Sequence, residues 1–513
     1  MLLEDLARTS AGLAEIPGRR AKIELLADGL RRLRPDEVPV AVPFLSGNLR
    51  QGTIGIGWAS LREVSVAAPS GPRLEVLEVD AAFERIASAG GKGSQAFRRA
   101  ELAALFARAG EAERRFLLGL LTGELRQGAL EGLMVEAVAK AAGVPAPAVR
   151  RAAMLAGDLG PVAAAVLADP AHGLSSFHLE VLRPVQPMLA QTADDVDAAI
   201  GRICPAAVEW KLDGARIQVH RLGSDVRAFT RTLADVTDRV PEIVAAVREL
   251  PLSSAILDGE AIALRPGGRP HPFQVTMSRF GSRLDVDAQR ASVPLSPFFF
   301  DCLHADGDDL IDRPSRERFE VLRSRLPAGL LVPGAIVREP DEAGRLLEEA
   351  LGAGHEGVMV KDPDAPYEAG RRGSSWLKVK RAATLDLLVL AAEWGHGRRR
   401  GRLSNLHLGA RDPESGGFVM LGKTFKGMTD EMLAWQTEHL QSIETRRDEY
   451  TVYVRPELVV EVAFDGLQSS SRYPGGLALR FARVKGYRPD KRPDDVDTIA
   501  TVRAIHAGEQ VRD

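Results

Sequence analysis

The stretch EWKLDGARIQVHR, Glu209 to Arg221, decides how the middle of this 513-residue chain is read. Ile217 and Val219 alternate with Gln218 and His220, the period of a half-buried strand. Ahead of them, Lys211, Asp213 and Gly214 form a short polar step, and glycine permits a tight turn there. The step is expected to make a hairpin, with Lys211 at its lip and Arg216 just beyond. A lysine in such a place is ordinarily a solvated charge. Whether this one reacts depends on what surrounds it.

Working outward, other short apolar runs also end in charge. LDGE places Glu260 after one run, EGVMVK sets Glu356 and Lys361 at the two ends of another, and SSWLKVKR puts Lys378 and Lys380 on one strand face. FTRTL adds Arg231 and YEAGRRGSSW adds Arg372. Such strand ends suit a cleft for a polyphosphate, because cations neutralise phosphate oxygens and carboxylates offer oxygen ligands to Mg²⁺. A lysine in that cleft becomes a covalent nucleophile once neighbouring cations and metal favour the neutral amine. No GxxxxGK[ST] loop is present, so the phosphates are not held by a P-loop.

Hydrophobic residues make up 45% and charged residues 27%, a globular composition spread over more length than one ordinary core fills. No apolar run approaches a membrane span, and the start MLLEDLARTS lacks a secretory layout. The two cysteines, Cys204 and Cys302, cannot build a four-cysteine zinc site and fit a reducing cytoplasm. The net charge of −3 gives no global attraction to nucleic acid, so any such binding must rest on local patches.

Residues 1–182 show helical apolar spacing, as in RRAELAALFARAGEAERRFLLGLLTGELRQ and GLMVEAVAKAAGV, and read as a mostly helical domain. RPVQPMLAQ, with two prolines, reads as an extended connector. Residues 183–382 mix strand runs (AILDGEAIAL, SPFFFDCL) with helical ones (PEIVAAVREL, DEAGRLLEEAL), an α+β domain. Residues 383–513 are strand-like again (LDLLVLAAEW, GFVMLGK, LVVEVAFDGL) and suit a small barrel.

Taken in order, the charged motifs resemble the nucleotidyltransferase motifs of the ATP-dependent DNA ligases, in a compact bacterial or archaeal form. The matching segments are KLDGAR at 211–216, TRT around Arg231, LDGE at 257–260, FFFD around Phe300, EGVMVK at 356–361, WLKVKR at 376–381 and LRFARVKGYRPDK at 479–491. The likeness runs from about residue 186 to about 495, and GELRQGALEG in the helical region is similar to the DNA-binding domain of that family. It implies an all-α DNA-binding domain, an α+β adenylation domain and a C-terminal OB-fold barrel.

The resemblance also implies roles. Lys211 attacks the α-phosphate of ATP and carries AMP, which passes to a 5′-phosphate at a nick before the 3′-hydroxyl displaces it. Glu209 contacts the adenine edge, with Phe300 and Met359 on its two faces; Arg216 and Arg231 contact sugar and phosphates. Glu260 and Glu356 bind the sugar or Mg²⁺, and Arg372, Lys378 and Lys380 hold the α-phosphate. Arg488, Asp490 and Lys491 belong to a mobile barrel that orients pyrophosphate. The implied partner is nicked double-stranded DNA, clamped by a monomer, with no membrane.

Bland readings stand beside these. Phe300 in PFFFD and Met359 in its apolar run could be core, Asp213 could orient Lys211 or cap the turn, and Arg398, Arg399, Arg400 and Arg402 could be a solvated loop or a phosphate-contacting patch. In PFQVTMSRFG only Gln274 and Arg279 hint at a family feature, and residues 1–182 carry no obvious basic stripe. An NAD-dependent ligase would carry a four-cysteine zinc module, and a capping enzyme would not need the helical front. An RNA ligase would lack that front combined with the RPDK-ending barrel. A non-catalytic scaffold would not need to retain every charged group.

Overall fold

The computed structural model describes residues 1–52, 54–57, 61, 71–125, 127, 131–281, 286–369, 372–380, 383–396 and 399–507, Arg372 by its backbone alone. The chain divides into two compact units, Met1–Val379 and Lys380–Asp513.

The first unit opens with helices. The long amphipathic stretch breaks at Gly110 into Ser94–Arg108 and Glu111–Thr122, and the second helix stops at Gly123, whose φ of 68° is the left-handed value glycine adopts cheaply. Leu102, Leu105, Phe106, Phe116, Leu117 and Leu120 face inward from this pair and join one apolar core with Leu3, Leu26, Phe44 and Phe83. Burying such side chains contributes roughly 1.5–3 kcal/mol each, which offsets the weak intrinsic stability of helices this short.

Strands follow. Among the described residues, in chain order, they are β1 (Leu189–Thr192), β2 (Ala206–Lys211), β3 (Ala215–Leu222), β4 (Asp225–Thr230), β5 (Ser254–Ala263), β6 (Leu295–Ala305), β7 (Asp308–Asp309), β8 (Gly334–Val337), β9 (Gly357–Lys361) and β10 (Arg372–Lys380). They form two five-stranded sheets, ordered β1-β10-β9-β2-β8 and β4-β3-β5-β6-β7. The last residues of the proline-rich connector are therefore a strand, β1, running parallel to β10.

Two expectations change here. The Lys211–Gly214 step is not a hairpin, because β2 and β3 lie in different sheets. A strand has two hydrogen-bonding edges, and those of β2 are taken by β8 and β9. Gly214 instead brings the chain against β5, where an added Cβ would lie 2.5 Å from the Ala261 carbonyl oxygen and 2.8 Å from Ile262. Nor is β3 half-buried, since Gln218 and His220 are as enclosed as Ile217 and Val219. The polar face is covered by the connector: Leu182 N–H donates to His220 Nδ1 (2.9 Å), Val185 N–H donates to Gln218 Oε1 (2.8 Å), and the Gln218 amide donates back to the Val185 carbonyl. Leu182 turns there with φ of 75°, a left-handed corner in a non-glycine residue.

The helical region and the sheets share a further core. Met154 and Leu155 pack with Val185, Met188, Ile256, Leu303, Tyr367 and Trp376, and Met154 Sδ accepts from Ala369 N–H. Arg151 pairs with Asp312 across the same junction (2.5 Å).

The second unit is built on β11 (Ala383–Trp394), which pairs with β15 (Val459–Phe464) along its first half and with β14 (Thr451–Val454) along its second. On the other edge it pairs with β12 (Leu403–Asp412), which continues to β13 (Gly417–Thr424). One long strand serving two partners in turn must coil, and the result is a half-barrel compatible with an OB-fold, filled by Leu387, Leu406, Leu421, Val460 and Phe464. The helix Asp430–Ser442 packs on it, capped by the Thr429 side chain accepting from Met432 N–H. Among the described residues no helix is long and apolar enough to cross a membrane, and Cys204 and Cys302 are both free thiols.

The shared core yields a stability prediction. Met154→Ala removes a side chain that is 2% exposed and should cost the first unit about 2–4 kcal/mol in urea unfolding, whereas Phe97→Ala, at an exposed ring, should stay within about 0.5 kcal/mol. A Met154→Ala midpoint equal to that of the unaltered chain would show that the junction is not packed.

Candidate active site

Residues directly opposite in an antiparallel pair share a face. The register sets Glu209 against Met359, Lys211 against Gly357 and Ala207 against Lys361. One face of the β2–β9 pair therefore carries Glu209, Lys211, Met359 and Lys361, while Val208, Val358 and Val360 fill the apolar cluster behind it. In the other sheet Arg216 lies opposite Glu260, and Gln218 opposite Asp258. Phe299 is the core residue of FFFD, fully enclosed. Its neighbour Phe300 points to the opposite side, with its ring centroid 5.4 Å from the Arg216 guanidinium and 4.6 Å from Lys361 Nζ. The two polar faces thus meet around Phe300 and Trp376, whose rings pack edge to face at 5.9 Å.

Ionic pairing in this space is dense. Lys211 forms an ion pair with Glu356. Glu260 stands close to both, and burial pushes its carboxyl up to about 8; Lys211 and Arg216 oppose that shift, and the charges of Glu356 and Asp258 add to it. Glu209 pairs with Lys361 at 2.5 Å, and burial holds this carboxyl above its ordinary range. Arg216 makes a two-pronged contact with Asp258 (3.0 and 2.6 Å) and donates to the Met188 carbonyl (2.6 Å). Tyr367, fully buried, donates its hydroxyl proton to Asp258 (2.7 Å) and accepts from Met188 N–H (3.0 Å). Arg216 is thus committed to the wall of the site.

The remaining residues are more scattered. Arg231 is exposed just past β4, and the Arg372 side chain lies outside the described residues. Lys378 is half-buried on β10, and Lys380 begins the second unit, 3.8 Å from Asp465. In that unit Arg488 pairs with Asp386 (3.0 Å) and Asp490 (2.7 Å), Lys491 pairs with Asp386 (2.5 Å), and Arg488 holds the Asp490 carboxyl down at about 2. Arg279 turns inward to Glu242 (2.7 Å), while Gln274 is exposed. Arg398 lies outside the described residues; Arg399 donates to the Phe425 carbonyl, and Arg400 and Arg402 are exposed. Sequence reasoning noted Lys361 at the end of its run without giving it a role, and passed over Asp258, Tyr367 and Asp386. For Asp386 the available signal was a charged residue inside an otherwise apolar run, LDLLVL.

Residues 187–380 match the family described as ATP dependent DNA ligase domain, 59–139 match DNA ligase N terminus, and 399–491 match ATP dependent DNA ligase C terminal region. A probable DNA ligase of Anaeromyxobacter dehalogenans (strain 2CP-C) is 62% identical over 513 residues, covering 99% of this chain and 100% of the relative. A probable DNA ligase of Sorangium cellulosum is 58% identical over 510 residues, 99% of this chain and 96% of its own length. The solved structure Pmar-Lig_Pre superposes with a TM-score of 0.65 at 19% identity, over 94% of this chain and 99% of that one, a likeness of fold.

Glu260 sets a pH signature. Its carboxyl is an ordinary one near 4.5 when unfolded and rises to about 8 when folded, so the folded state retains a proton that the unfolded state has lost. Stability should therefore fall as pH rises through that window, by up to about 1.4 kcal/mol per unit, and level off above it. Glu260→Gln cannot ionise and should flatten this slope in thermal unfolding measured with chelator present; an unchanged slope would assign it to other groups.

Proposed function

The chain belongs to the ATP-dependent DNA ligases, and from that premise we propose that it seals nicks in duplex DNA through an adenylylated Lys211. The observation that carries this reading is the position of Lys211: at the end of β2, paired with Glu356, beside Glu260, and on the same sheet face as Glu209 and Met359.

In the first step the Lys211 amine attacks the α-phosphorus of ATP, an N–P bond forms, and the bond to pyrophosphate breaks. The amine must first lose a proton, and the Glu356 carboxylate, already paired with it, is placed to receive that proton. In the second step a 5′-phosphate oxygen at the nick takes the AMP and Lys211 leaves. In the third the 3′-hydroxyl attacks the activated 5′-phosphorus and AMP departs. All three are in-line displacements, in which positioning and charge stabilisation supply most of the acceleration.

Glu209 meets the adenine edge, Phe300 and Met359 cover its faces, and Arg216 anchors the wall beneath. Arg231, Arg372, Lys378 and Lys380 supply cations to sugar and phosphates. Glu260 and Glu356 fit Mg²⁺: they are hard oxygen donors, and among the described residues no cluster of three or more His, Cys, Asp or Glu competes as a metal site. Mg²⁺ usually binds through one or two carboxylates plus substrate phosphates, and the raised Glu260 carboxyl is one that a cation would help to ionise. Bound there, the ion neutralises phosphate charge. Residues 1–182 serve as the DNA-binding domain, 183–382 as the adenylation domain and 383–513 as the barrel. The monomer closes around the duplex in the cytoplasm, through phosphate contacts that weaken steeply with salt.

With labelled ATP and Mg²⁺, the full chain should acquire acid-labile, base-stable label, and Lys211→Ala should acquire none; label on that variant at the original level would remove Lys211 from the chemistry. Asp490→Ala should form little enzyme–AMP yet still seal a nick already carrying 5′-AMP. Equal loss of both reactions would mean that the Arg488–Asp490 corner does not act specifically on pyrophosphate.

A further inference from the structure

Lys361 has no role in the reaction as set out above, yet it is among the most enclosed charges in the first unit, with a side chain 3% exposed. Its Nζ sits 2.5 Å from the Glu209 carboxylate, 3.4 Å from the Phe300 carbonyl oxygen, and 4.6 and 4.5 Å from the ring centroids of Phe300 and Trp376. A carboxylate and two aromatic faces therefore surround one ammonium, an arrangement that compensates a buried cation. It is also a costly one to keep unless the charge does something that an apolar residue of the same size would not.

We propose that Lys361 is a positioning residue that sets nucleotide choice: by keeping Glu209 a carboxylate, it makes the base-edge contact an acceptor only and so selects a purine with a 6-amino group. This rests on the reading that Glu209 meets the base edge. Adenine presents an N–H donor at position 6, and an ionised carboxylate accepts from it. Guanine presents a carbonyl oxygen there, which a carboxylate repels. A protonated Glu209 could donate to that oxygen, and the discrimination would be lost.

The charges facing Glu209 are Lys361 from β9, Asp301 from β6, Arg318 from the helix Ser315–Arg325, and Lys211 further along its own strand. Burial and Asp301 favour the protonated form. Lys361 is the chief group opposing them, and Arg318 is a lesser one that is already held by Asp301 at 2.7 and 2.9 Å. Without the Lys361 ammonium, only Arg318 is left to oppose burial and Asp301, and the balance at Glu209 moves further toward the protonated form.

The test is self-nucleotidylation of the full chain with labelled ATP or GTP, read as the ratio of kcat/KM for the two, from about pH 6.5 to about pH 8.5. The unaltered chain should prefer ATP with a ratio that is flat in pH. Lys361→Met should lower the ratio at least about tenfold at the acid end, with recovery as pH rises and Glu209 ionises, and Lys361→Arg should restore most of it. Glu209→Gln should lose the ratio at every pH. If Lys361→Met keeps a full, pH-independent ratio while Glu209→Gln loses it, the proposal is overturned and the base-edge reading survives. If both variants keep it, the base-edge reading itself is wrong. Should Lys361→Met fail to fold, the double variant Glu209→Gln with Lys361→Met leaves neither charge buried. Its ratio should equal that of Glu209→Gln alone, and a further drop would overturn the proposal.

Discussion

Asp258 is wholly and Arg216 mostly withdrawn from water, and the need to compensate both charges organises the ground around them. Removing one partner of such a pair typically costs about 3–5 kcal/mol, because the other is left buried and uncompensated. The remaining hydrogen-bonding capacity must therefore be filled from within the protein. The Met188 carbonyl and the Tyr367 hydroxyl fill it, and each belongs to a segment with a second attachment: Met188 to the connector, Tyr367 to the edge-to-face packing with Trp376. The guanidinium also lies 5.4 Å from the Phe300 ring, so the wall beside the candidate nucleotide site is held through the same ion pair.

How far the sequence could be read follows from the kind of interaction involved. Helical spacing and strand runs report which residues leave water, so the helical front, the α+β middle and the strand-rich end were all legible. Pairing partners are not encoded locally. The step from Lys211 to Gly214 looked like a hairpin because a turn signal says that the chain reverses, but not which strand it then joins; β8 and β9 lie more than a hundred residues downstream. Alternation failed at Gln218 and His220 for a related reason. It assumes that polar residues face solvent, and here backbone groups of the connector replace the solvent.

Candidate site residues could be named as a set through likeness to a family, and less readily one at a time. Phe300 and Phe299 are indistinguishable in composition, and strand parity decides which enters the core. Lys361 was visible as a charge at the end of its run but had no role there, and Asp386 was hidden inside an apolar run, where a single charge carries little weight until its partner is located in space. Asp386 then proves to be the acceptor for both Arg488 and Lys491, so the conformation of the RPDK segment depends on a residue about a hundred positions earlier.

The corner at Leu182 bears on how such a chain can change over evolutionary time. Its N–H is held by His220, and Met154 and Leu155, at the end of the helix Ala146–Ala156, lie in the same cluster as Tyr367 and Trp376. The helical front is therefore not a detachable module. A lineage that discarded or exchanged it would uncover apolar side chains at the back of the catalytic fold and would need matching substitutions there. The two parts are thus bound to diverge in concert, and a shuffled gene joining fronts and cores from distant relatives would meet its first incompatibility at Met154.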